Sequence, residues 1–277
     1  MSEGSSNPRR LKLRYPAQCA KCGLPLSAGA EAFWNRTTKE AYCVACAPDE
    51  TQLITGVPGA SAALEGARRA DKRVEEARRR YGDHAAAVAE AMASRDTAAS
   101  WGKGSSGEAR LAAFVGKEVG DAVISFHDRL IPGTRGNIDH IFVAPVGIWV
   151  IDAKSYTGKV VQRPTGPFWR PDNKVFVGGR DRTKLVKGVE KQVEAVLAAV
   201  KGDPEIKGTL VYGGLCFVDS EWGLTDFPFQ VGNIWVLYPG ALRKRLNKGG
   251  SLSRDRMDHI AHRLDLSLPP AAAPRLR

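Results

Sequence analysis

Two strongly apolar stretches of this 277-residue chain carry charged side chains. Asp139 lies within the run NIDHIFVAP, and Asp152 and Lys154 lie within the following run GIWVIDAKS. Burial of an unpaired charge costs free energy, so charged residues persist in an apolar strand when a partner compensates them. The three residues therefore predict a charged site that is built on two neighbouring strands.

A four-residue turn at 144–147 would join the two runs as a β-hairpin. In that register Asp139 lies directly opposite Asp152, and the two-residue period of a strand places Lys154 on the same face. His140 then points to the other face, and we interpret it as a packed histidine. A loop of odd length or a bulge would change this pairing, and the apolar pattern is compatible with either.

Two facing carboxylates repel each other and need a cation between them. Lys154 supplies one positive charge, whereas Mg²⁺ supplies two, prefers carboxylate oxygens and keeps positions for water and phosphate oxygen. The pattern therefore predicts a site for a divalent metal ion. The alternative for the same residues is a structural ion pair between Asp152 and Lys154 at the end of a strand.

Four of the five cysteines form two Cys-x-x-Cys pairs. Cys19 and Cys22 are separated by 20 residues from Cys43 and Cys46, a spacing that is typical of a four-thiolate zinc site. The surrounding segment has few apolar residues, so zinc would supply much of its folding free energy. The alternatives are two redox-active pairs or four unrelated buried thiols. Cys216 lies in an apolar strand and is interpreted as a small core residue.

Lysine and arginine total 41 against 30 aspartate and glutamate residues, which gives a formal net charge of +11 and an isoelectric point near 9.6. This surplus favours a polyanionic partner, with nucleic acid first and an anionic membrane surface second. No apolar run reaches the roughly 18 residues that span a bilayer, and the basic N-terminus lacks the apolar segment of a signal peptide. Thiols at metal-site spacing suit a reducing compartment. We expect a cytoplasmic protein that binds nucleic acid and no membrane.

The helical stretch between Arg68 and Arg80 carries seven basic residues against three acidic ones. This pattern indicates either a solvated connector or a nucleic-acid contact. Gly82 and Asp83 predict a break between two helices. The expected segments are a disordered basic arm at 1–14, a four-cysteine zinc-ribbon-like module at 15–50, a basic helical linker at 51–100, an α/β domain at 101–240 and a helical basic tail at 241–277.

Residues 101–239 follow the order helix, strands, helix, strand, which predicts a mixed α/β core. Within them, WGKGSSGEARLAAF and IPGTRGNIDHIFVAPVGIWVIDAKSYTGKV resemble the nuclease-related domain (NERD) of bacterial proteins. That domain is itself similar to the PD-(D/E)xK nuclease superfamily. The resemblance implies a restriction-endonuclease-like mixed sheet flanked by helices, which is preceded here by a small zinc ribbon and a helical linker.

The resemblance also implies roles for individual residues. Glu108, Asp139 and Asp152 match the carboxylates of a Mg²⁺ or Mn²⁺ site, Lys154 matches the motif lysine, and Gln192 matches a polar helix position near the active site of related nucleases. In phosphodiester hydrolysis the ion would stabilise charge on the phosphoryl oxygens. Lys154 would orient the attacking water, or act as a base if its pKa were depressed. Glu108 alternatively only favours a helix N-terminus through the helix dipole.

The expected function is that of a metal-dependent nuclease acting on nucleic acid, with DNA as the expected substrate, a structural zinc ion and a catalytic magnesium or manganese ion. The alternative is a non-catalytic nucleic-acid-binding or adaptor protein that keeps a nuclease-like fold. A redox protein that uses the Cys-x-x-Cys pairs is a third interpretation, and it would need accessible thiols of low pKa.

Overall fold

The computed structural model of the protein describes residues 9–35, 39–46, 53, 55–103, 106–165, 172–223 and 226–271. The first eight residues of the expected basic arm and the last six residues of the expected tail lie outside this part of the chain.

Five short strands build the cysteine-bearing ribbon. The first strand pairs antiparallel with the fourth, and the fourth with the fifth, while the second and third form a separate two-stranded ladder. A 3-10 turn at Val44–Cys46 follows the last strand. The strands are β1 (Arg9–Lys12), β2 (Ala17–Gln18), β3 (Pro25–Leu26), β4 (Glu31–Asn35) and β5 (Glu40–Tyr42).

Residues 9–14 belong to this ribbon. Leu11 lies opposite Ala32 in the ladder between β1 and β4, and Leu13 is buried in the small ribbon core beside Cys19 and Cys43. The boundary drawn at residue 14 from the sequence therefore falls inside the ribbon. The physical reason is that the two leucines of the basic segment cover apolar surface which the rest of the ribbon leaves open.

Two long helices follow the ribbon, and we call residues 60–103 the helical arm. Helix α1 (Ala60–Tyr81) and helix α2 (Asp83–Lys103) pack side by side as an antiparallel hairpin. Gly82 separates them with φ 80°, a left-handed conformation that glycine adopts without steric cost. The helix break predicted at this position is confirmed.

A six-stranded mixed sheet forms the centre of the protein, with the strand order β13-β14-β12-β8-β7-β6. Strand β12 runs parallel to β8 and β14, and the other neighbours are antiparallel. The mixed α/β fold expected from the sequence is confirmed. Helix α3 (Ser106–Glu118) precedes the sheet, whose strands are β6 (Ile124–Leu130), β7 (Asn137–Ala144), β8 (Gly147–Lys154), β12 (Val211–Phe217), β13 (Phe229–Val231) and β14 (Ile234–Leu237).

Helices cover both faces of this sheet. Helix α4 (Lys184–Val200) and helix α6 (Arg254–Ser267) pack on one face, and α3 packs on the other with helix α5 (Pro239–Leu246). A small second sheet lies between β8 and α4 in the chain and comprises β9 (Val160–Thr165), β10 (Asp172–Val177) and β11 (Arg180–Asp181). The segment expected as a tail thus contributes two helices to the core, because Leu242, Ile260 and Leu264 are fully buried.

The outer edge of β6 is covered by two distant parts of the chain. The His127 N–H donates to the Thr55 carbonyl at 2.7 Å, and the Leu130 N–H donates to the Pro269 carbonyl at 2.8 Å. An unpaired strand edge is a template for aggregation, so this cover protects the sheet. It also places the residues just before α1 next to β6, where the candidate site begins.

Candidate active site

The hairpin of β7 and β8 has the register that the sequence predicted. Val143 pairs with Ile148, and the ladder runs to the pair His140 and Ile151. One position further along, Asp139 and Asp152 face each other where the ladder ends. The Ala153 N–H donates to Asp139 Oδ2 at 3.0 Å. The side-chain carboxylate of Asp139 therefore accepts this hydrogen bond, as a backbone carbonyl would in a regular ladder.

Lys154 supplies the cation between the two carboxylates. Its Nζ donates a hydrogen bond to Asp152 Oδ1 and lies 3.8 Å from Asp139 Oδ2. The side chains of Asp139 and Asp152 are only 10% and 8% exposed, so water screens their charges weakly. Both carboxylates therefore share one ammonium group in a nearly dry environment.

The pKa values of this cluster follow from burial and from the facing charges. Burial, followed by the negative charge of Asp152, raises the pKa of Asp139 well above its usual range. Burial alone would lower the pKa of Lys154, but the carboxylates of Asp152 and Asp139 outweigh it and raise that pKa. Without a metal ion at the carboxylates Lys154 therefore stays protonated, and a role as a base stays a prediction.

Glu108 approaches the pair from the first turn of α3. A Cβ atom on the preceding Gly107 would lie 2.0 Å from Ser155 Oγ and 3.3 Å from Ser155 Cβ, so this turn packs closely against the end of β8 and a larger residue would displace the Ser155 hydroxyl. Burial, then the charge of Asp128, raises the pKa of Glu108, and the charges of Lys154 and Asp152 also act on it. Its Oε2 atom is buried and has no hydrogen-bond partner. A carboxylate that served only the helix dipole would not need this burial.

These oxygens suit a hard divalent cation in their chemistry. The orphaned Oε2 of Glu108 and the facing carboxylates of Asp139 and Asp152 are the donor type that Mg²⁺ and Mn²⁺ prefer. The oxygens of the three carboxylates are farther apart than the ligands of a closed metal site. Within the described ranges, only the four cysteines bring ligand atoms of three or more residues within 4.8 Å of one another. An ion at the carboxylates would therefore take over the charge compensation that Lys154 provides.

Gln192 lies on α4, which packs on the face of the sheet toward which Asp139 and Asp152 point. Its Oε1 atom is buried and has no hydrogen-bond partner. Among the described residues, no hydrogen bond joins Gln192 to either carboxylate. A role for Gln192 at the site stays a prediction.

Asp128 is a further buried carboxylate that the sequence did not single out. It is fully buried on β6 and lies opposite Asp139, between the paired positions His127–His140 and Arg129–Ile138. Its φ of 48° is left-handed, which is uncommon for a residue other than glycine. Asp128 Oδ1 accepts hydrogen bonds from Asn137 Nδ2 at 2.8 Å and from Ser61 Oγ at 2.6 Å.

The first turn of α1 thereby joins the site. The Ser61 N–H donates to Asp128 Oδ2, and the Gly59 N–H donates to the Glu108 carboxylate, which lowers the pKa of Glu108 against the larger effect of burial. Two backbone amides at a helix N-terminus carry partial positive charge and suit carboxylates. The segment expected to be a linker therefore supports two acidic residues of the candidate site.

His140 lies on the opposite face from Asp139, as the strand alternation predicted. It is fully buried, stacks on Phe142 and places its Nδ1 2.8 Å from Nδ1 of His127. Burial, followed by the charge of His127, lowers the pKa of His140 well below its usual range. The two rings are neutral packing partners behind the hairpin.

The four cysteines of the ribbon form one compact cluster. Their sulfur atoms all lie within 4.8 Å of one another, and Cys22 Sγ is 3.7 Å from Cys43 Sγ. Burial alone would raise the pKa of Cys19, but backbone hydrogen bonds from Cys22, Cys43 and Lys21 lower it to about 6. This geometry fits a tetrahedral metal ion such as zinc. Cys216 is fully buried in β12, apart from the cluster.

Comparison with known proteins gives one family match. Residues 103–218 match the family described as nuclease-related domain (NERD). No curated protein and no solved structure gives a significant match. The matched region includes Glu108, Asp139, Asp152, Lys154 and Gln192, and it leaves out the ribbon and nearly all of the helical arm. In the described part of the chain, every helix is too short or too polar to cross a membrane.

Proposed function

We propose that the nuclease-related region makes this protein a metal-dependent nuclease that hydrolyses phosphodiester bonds of nucleic acid, with DNA as its substrate. The observation that carries the proposal is the pair of buried, facing carboxylates, Asp139 and Asp152, with the Lys154 ammonium group between them. A merely structural ion pair would need one carboxylate. The second carboxylate gives the site the surplus negative charge that a divalent cation neutralises.

In this proposal Asp139, Asp152 and Glu108 hold Mg²⁺ or Mn²⁺. Such an ion, when bound, lowers the pKa of a water ligand and stabilises negative charge on the phosphoryl oxygens. Lys154 donates a hydrogen bond to Asp152, and with an ion at the carboxylates its ammonium group would donate to water or phosphate. The β7–β8 hairpin holds these groups rigidly, which fixes their positions for the reaction.

The charge of the whole chain supports a polyanionic substrate. The formal net charge of +11 raises the local concentration of nucleic acid through long-range attraction. We further propose that Cys19, Cys22, Cys43 and Cys46 bind one structural zinc ion, since closed four-thiolate sites stabilise small ribbons. Thiols of this kind suit a reducing compartment, which favours the cytoplasm as the location of the protein.

The test compares cleavage by the wild type and by two variants of the facing pair. Asp152→Asn removes a metal-binding charge, and Lys154→Met removes the ammonium group but keeps the stem. Purified proteins are incubated with plasmid, linear and single-stranded DNA and with RNA, each with Mg²⁺, Mn²⁺ or EDTA. Each variant should lose several orders of magnitude of metal-dependent cleavage, since metal and water positioning act as one unit.

A second carboxylate–lysine pair provides matched controls. Lys159 Nζ lies 3.5 Å from Asp226 Oδ2, with side chains that are 59% and 23% exposed. Lys159→Met and Asp226→Asn make the same chemical changes at this more exposed pair and should leave cleavage unchanged. If the wild type binds nucleic acid but never cleaves it, the non-catalytic alternative replaces the proposal. Undiminished cleavage by the folded Asp152→Asn variant would remove the pair from catalysis.

A further inference from the structure

The base of the helical arm lies at the candidate site. Helix α1 begins with Ser61 bound to Asp128 and with the Gly59 N–H bound to Glu108. Helix α2 ends at Lys103, five residues before Glu108, and it contacts α3. Helix α1 therefore begins, and helix α2 ends, near the four carboxylates of Glu108, Asp128, Asp139 and Asp152, which we call the acidic cluster.

The remainder of the arm extends away from the core. Helix α1 has 22 residues, and a helix of that size is about 33 Å long. In the described part of the chain the two helices pack mainly on each other. Tyr81 at the tip is 75% exposed, and Val88 and Met92 on α2 are 59% and 63% exposed. The arm is thus a solvated projection whose root is fixed beside the candidate active site.

The side of α1 that points away from α2 carries a basic stripe. Ala70, Val74 and Ala77 are the more buried residues of this stretch and mark the side that packs on α2. Arg68, Lys72 and Arg79 occupy the opposite side, within an arc of about 40° for an α-helix of 3.6 residues per turn. We call these three residues the basic stripe.

The three cations of the basic stripe form no ion pair within the described part of the helix. No described carboxylate forms an ion pair with Arg68, Lys72 or Arg79. Two acidic residues of this stretch pair with other residues, Glu65 with Arg69 at 2.8 Å and Glu75 with Arg78 at 3.4 Å. Asp71 and Glu76 also lie along this part of the helix. The stripe therefore presents three cations that are not held in ion pairs, along one side of the helix.

We propose that the helical arm binds the phosphate backbone of a nucleic-acid duplex that continues outward from the cleavage point. This inference rests on the proposed nuclease function, because it takes the acidic cluster as that point. With a rise of 1.5 Å per residue, Arg68, Lys72 and Arg79 lie about 10, 16 and 27 Å from Ser61 along the helix axis. At about 3.4 Å per base pair, the last of these distances corresponds to about 8 base pairs.

The shape of the arm favours a duplex over a single strand. A straight, rigid helix presents cations on a straight line, and a duplex with a persistence length of about 150 base pairs stays straight beside it. A single strand is flexible and would lose conformational entropy to follow the same line. An acidic protein or a second copy of the chain is the competing partner. Equal salt slopes of the two double variants on the duplex would favour the first, and a dimer that depends on the stripe would show the second.

The test uses two matched double variants in α1. Lys72→Gln with Arg79→Gln removes two charges of the basic stripe. Arg69→Gln with Arg78→Gln removes two charges that are already paired with Glu65, Glu75 and Asp83. Binding to a duplex of about 30 base pairs is measured in EDTA over a range of salt concentrations. The stripe variant should lower the slope of log K against log salt by about 2, and the paired-residue control should change it by less than half of that.

A cleavage assay then tests the length of the contact. Duplexes extend beyond a fixed cleavage point by about 4 or about 14 base pairs, so that only the longer one reaches Arg79. The wild type should bind and cut the longer duplex several-fold better, and the stripe variant should lose this preference. Equal salt slopes for the two double variants would overturn the proposal, and so would equal affinity of the wild type for single strands.

Two further outcomes separate this inference from the proposed function. If the wild type cleaves with Mg²⁺ or Mn²⁺ but shows neither a slope difference nor a length preference, the inference fails and the nuclease function stands. If the slope difference appears and no protein cleaves, the nuclease function fails and the arm remains a duplex-binding element. A dimer in size-exclusion chromatography that the stripe variant converts to a monomer would show an interface between copies and overturn the proposal.

Discussion

Asp128 binds Ser61 twice, through the backbone amide and through the hydroxyl group, although 67 residues separate them in the chain. The carboxylate is fully buried on β6, and the serine lies in the first turn of helix α1. The pair fixes the root of the helical arm to the strand that lies next to Asp139. This contact therefore links the geometry of the acidic cluster to the direction of the arm.

Ser61→Ala removes the hydroxyl donor and leaves the backbone amide. The buried Asp128 carboxylate then loses one of its hydrogen bonds, and we expect the free energy of unfolding to fall by about 1.5 to 3 kcal/mol. Denaturation in urea measures the change. Ser220→Ala is the control, because Ser220 donates to the neutral carbonyl of Tyr156. A smaller loss for Ser61→Ala than for the control would show that the contact does not anchor the arm.

Lys154→Met leaves Asp139 and Asp152 facing each other without a cation. In EDTA the variant should lose about 3 to 5 kcal/mol of stability, because an uncompensated buried charge remains. Saturating Mg²⁺ should restore much of the melting temperature by binding the folded state. Lys159→Met should show neither effect. If Mg²⁺ shifts both variants equally, the ion does not bind at the facing carboxylates.

The ribbon should contain about one zinc ion per chain. Cys19→Ser combined with Cys43→Ser removes two of four ligands and should abolish the bound zinc, which is measured by elemental analysis of the purified protein. Cys216→Ala serves as the control, because this buried thiol lies apart from the cluster. Freshly reduced protein that holds no zinc and forms disulfides within the Cys-x-x-Cys pairs would support the redox interpretation.

His127 should make the protein less stable in mild acid. Burial, followed by the charge of Arg129, lowers its pKa from 6.5 to about 4 in the folded state. Below pH 6.5 the unfolded chain binds a proton that the folded chain does not, so stability is lost as the pH falls from about 6.5 towards 4, by up to about 1.4 kcal/mol per pH unit. His127→Gln keeps a polar partner for His140 and should flatten this slope in urea denaturation. If the pH dependence of stability were the same in His127→Gln and in the wild type, the low pKa of His127 would be contradicted.

The local sequence pattern was sufficient to predict several parts of the structure. The register of the β7–β8 hairpin follows from a short turn and from strands that are apolar on both sides of it. The spacing of the cysteines predicted their convergence, and Gly82 predicted the break in the helical arm. Each of these features depends on residues that are near one another in the sequence.

The support of the site by the helical arm could not be predicted in the same way. Asp128 lies in the strand-like run DAVISFHDRLI, and nothing in that run shows that the residue is left-handed or that its partner is Ser61. A contact between residues that are 67 positions apart does not change the hydrophobic periodicity of either segment. For the same reason residues 51–100 were expected to form a linker, whereas Thr55 and Gly59 contact the core.

The strands and helices beyond Phe217 belong to the same folded core as the region that matches the nuclease-related family. The matched region is therefore smaller than the folded unit. The family match ends at residue 218, but β12 pairs on its far side with β14. The guanidinium of Arg129, which is 1% exposed, lies 2.5 Å from Asp265 on α6. A fragment cut at the limits of the match would expose the edge of β12, remove Asp265 from Arg129 and remove Ser61 from Asp128. Recombinant work on this protein should therefore keep the segments on both sides of the matched region, from Leu53 to Ala271.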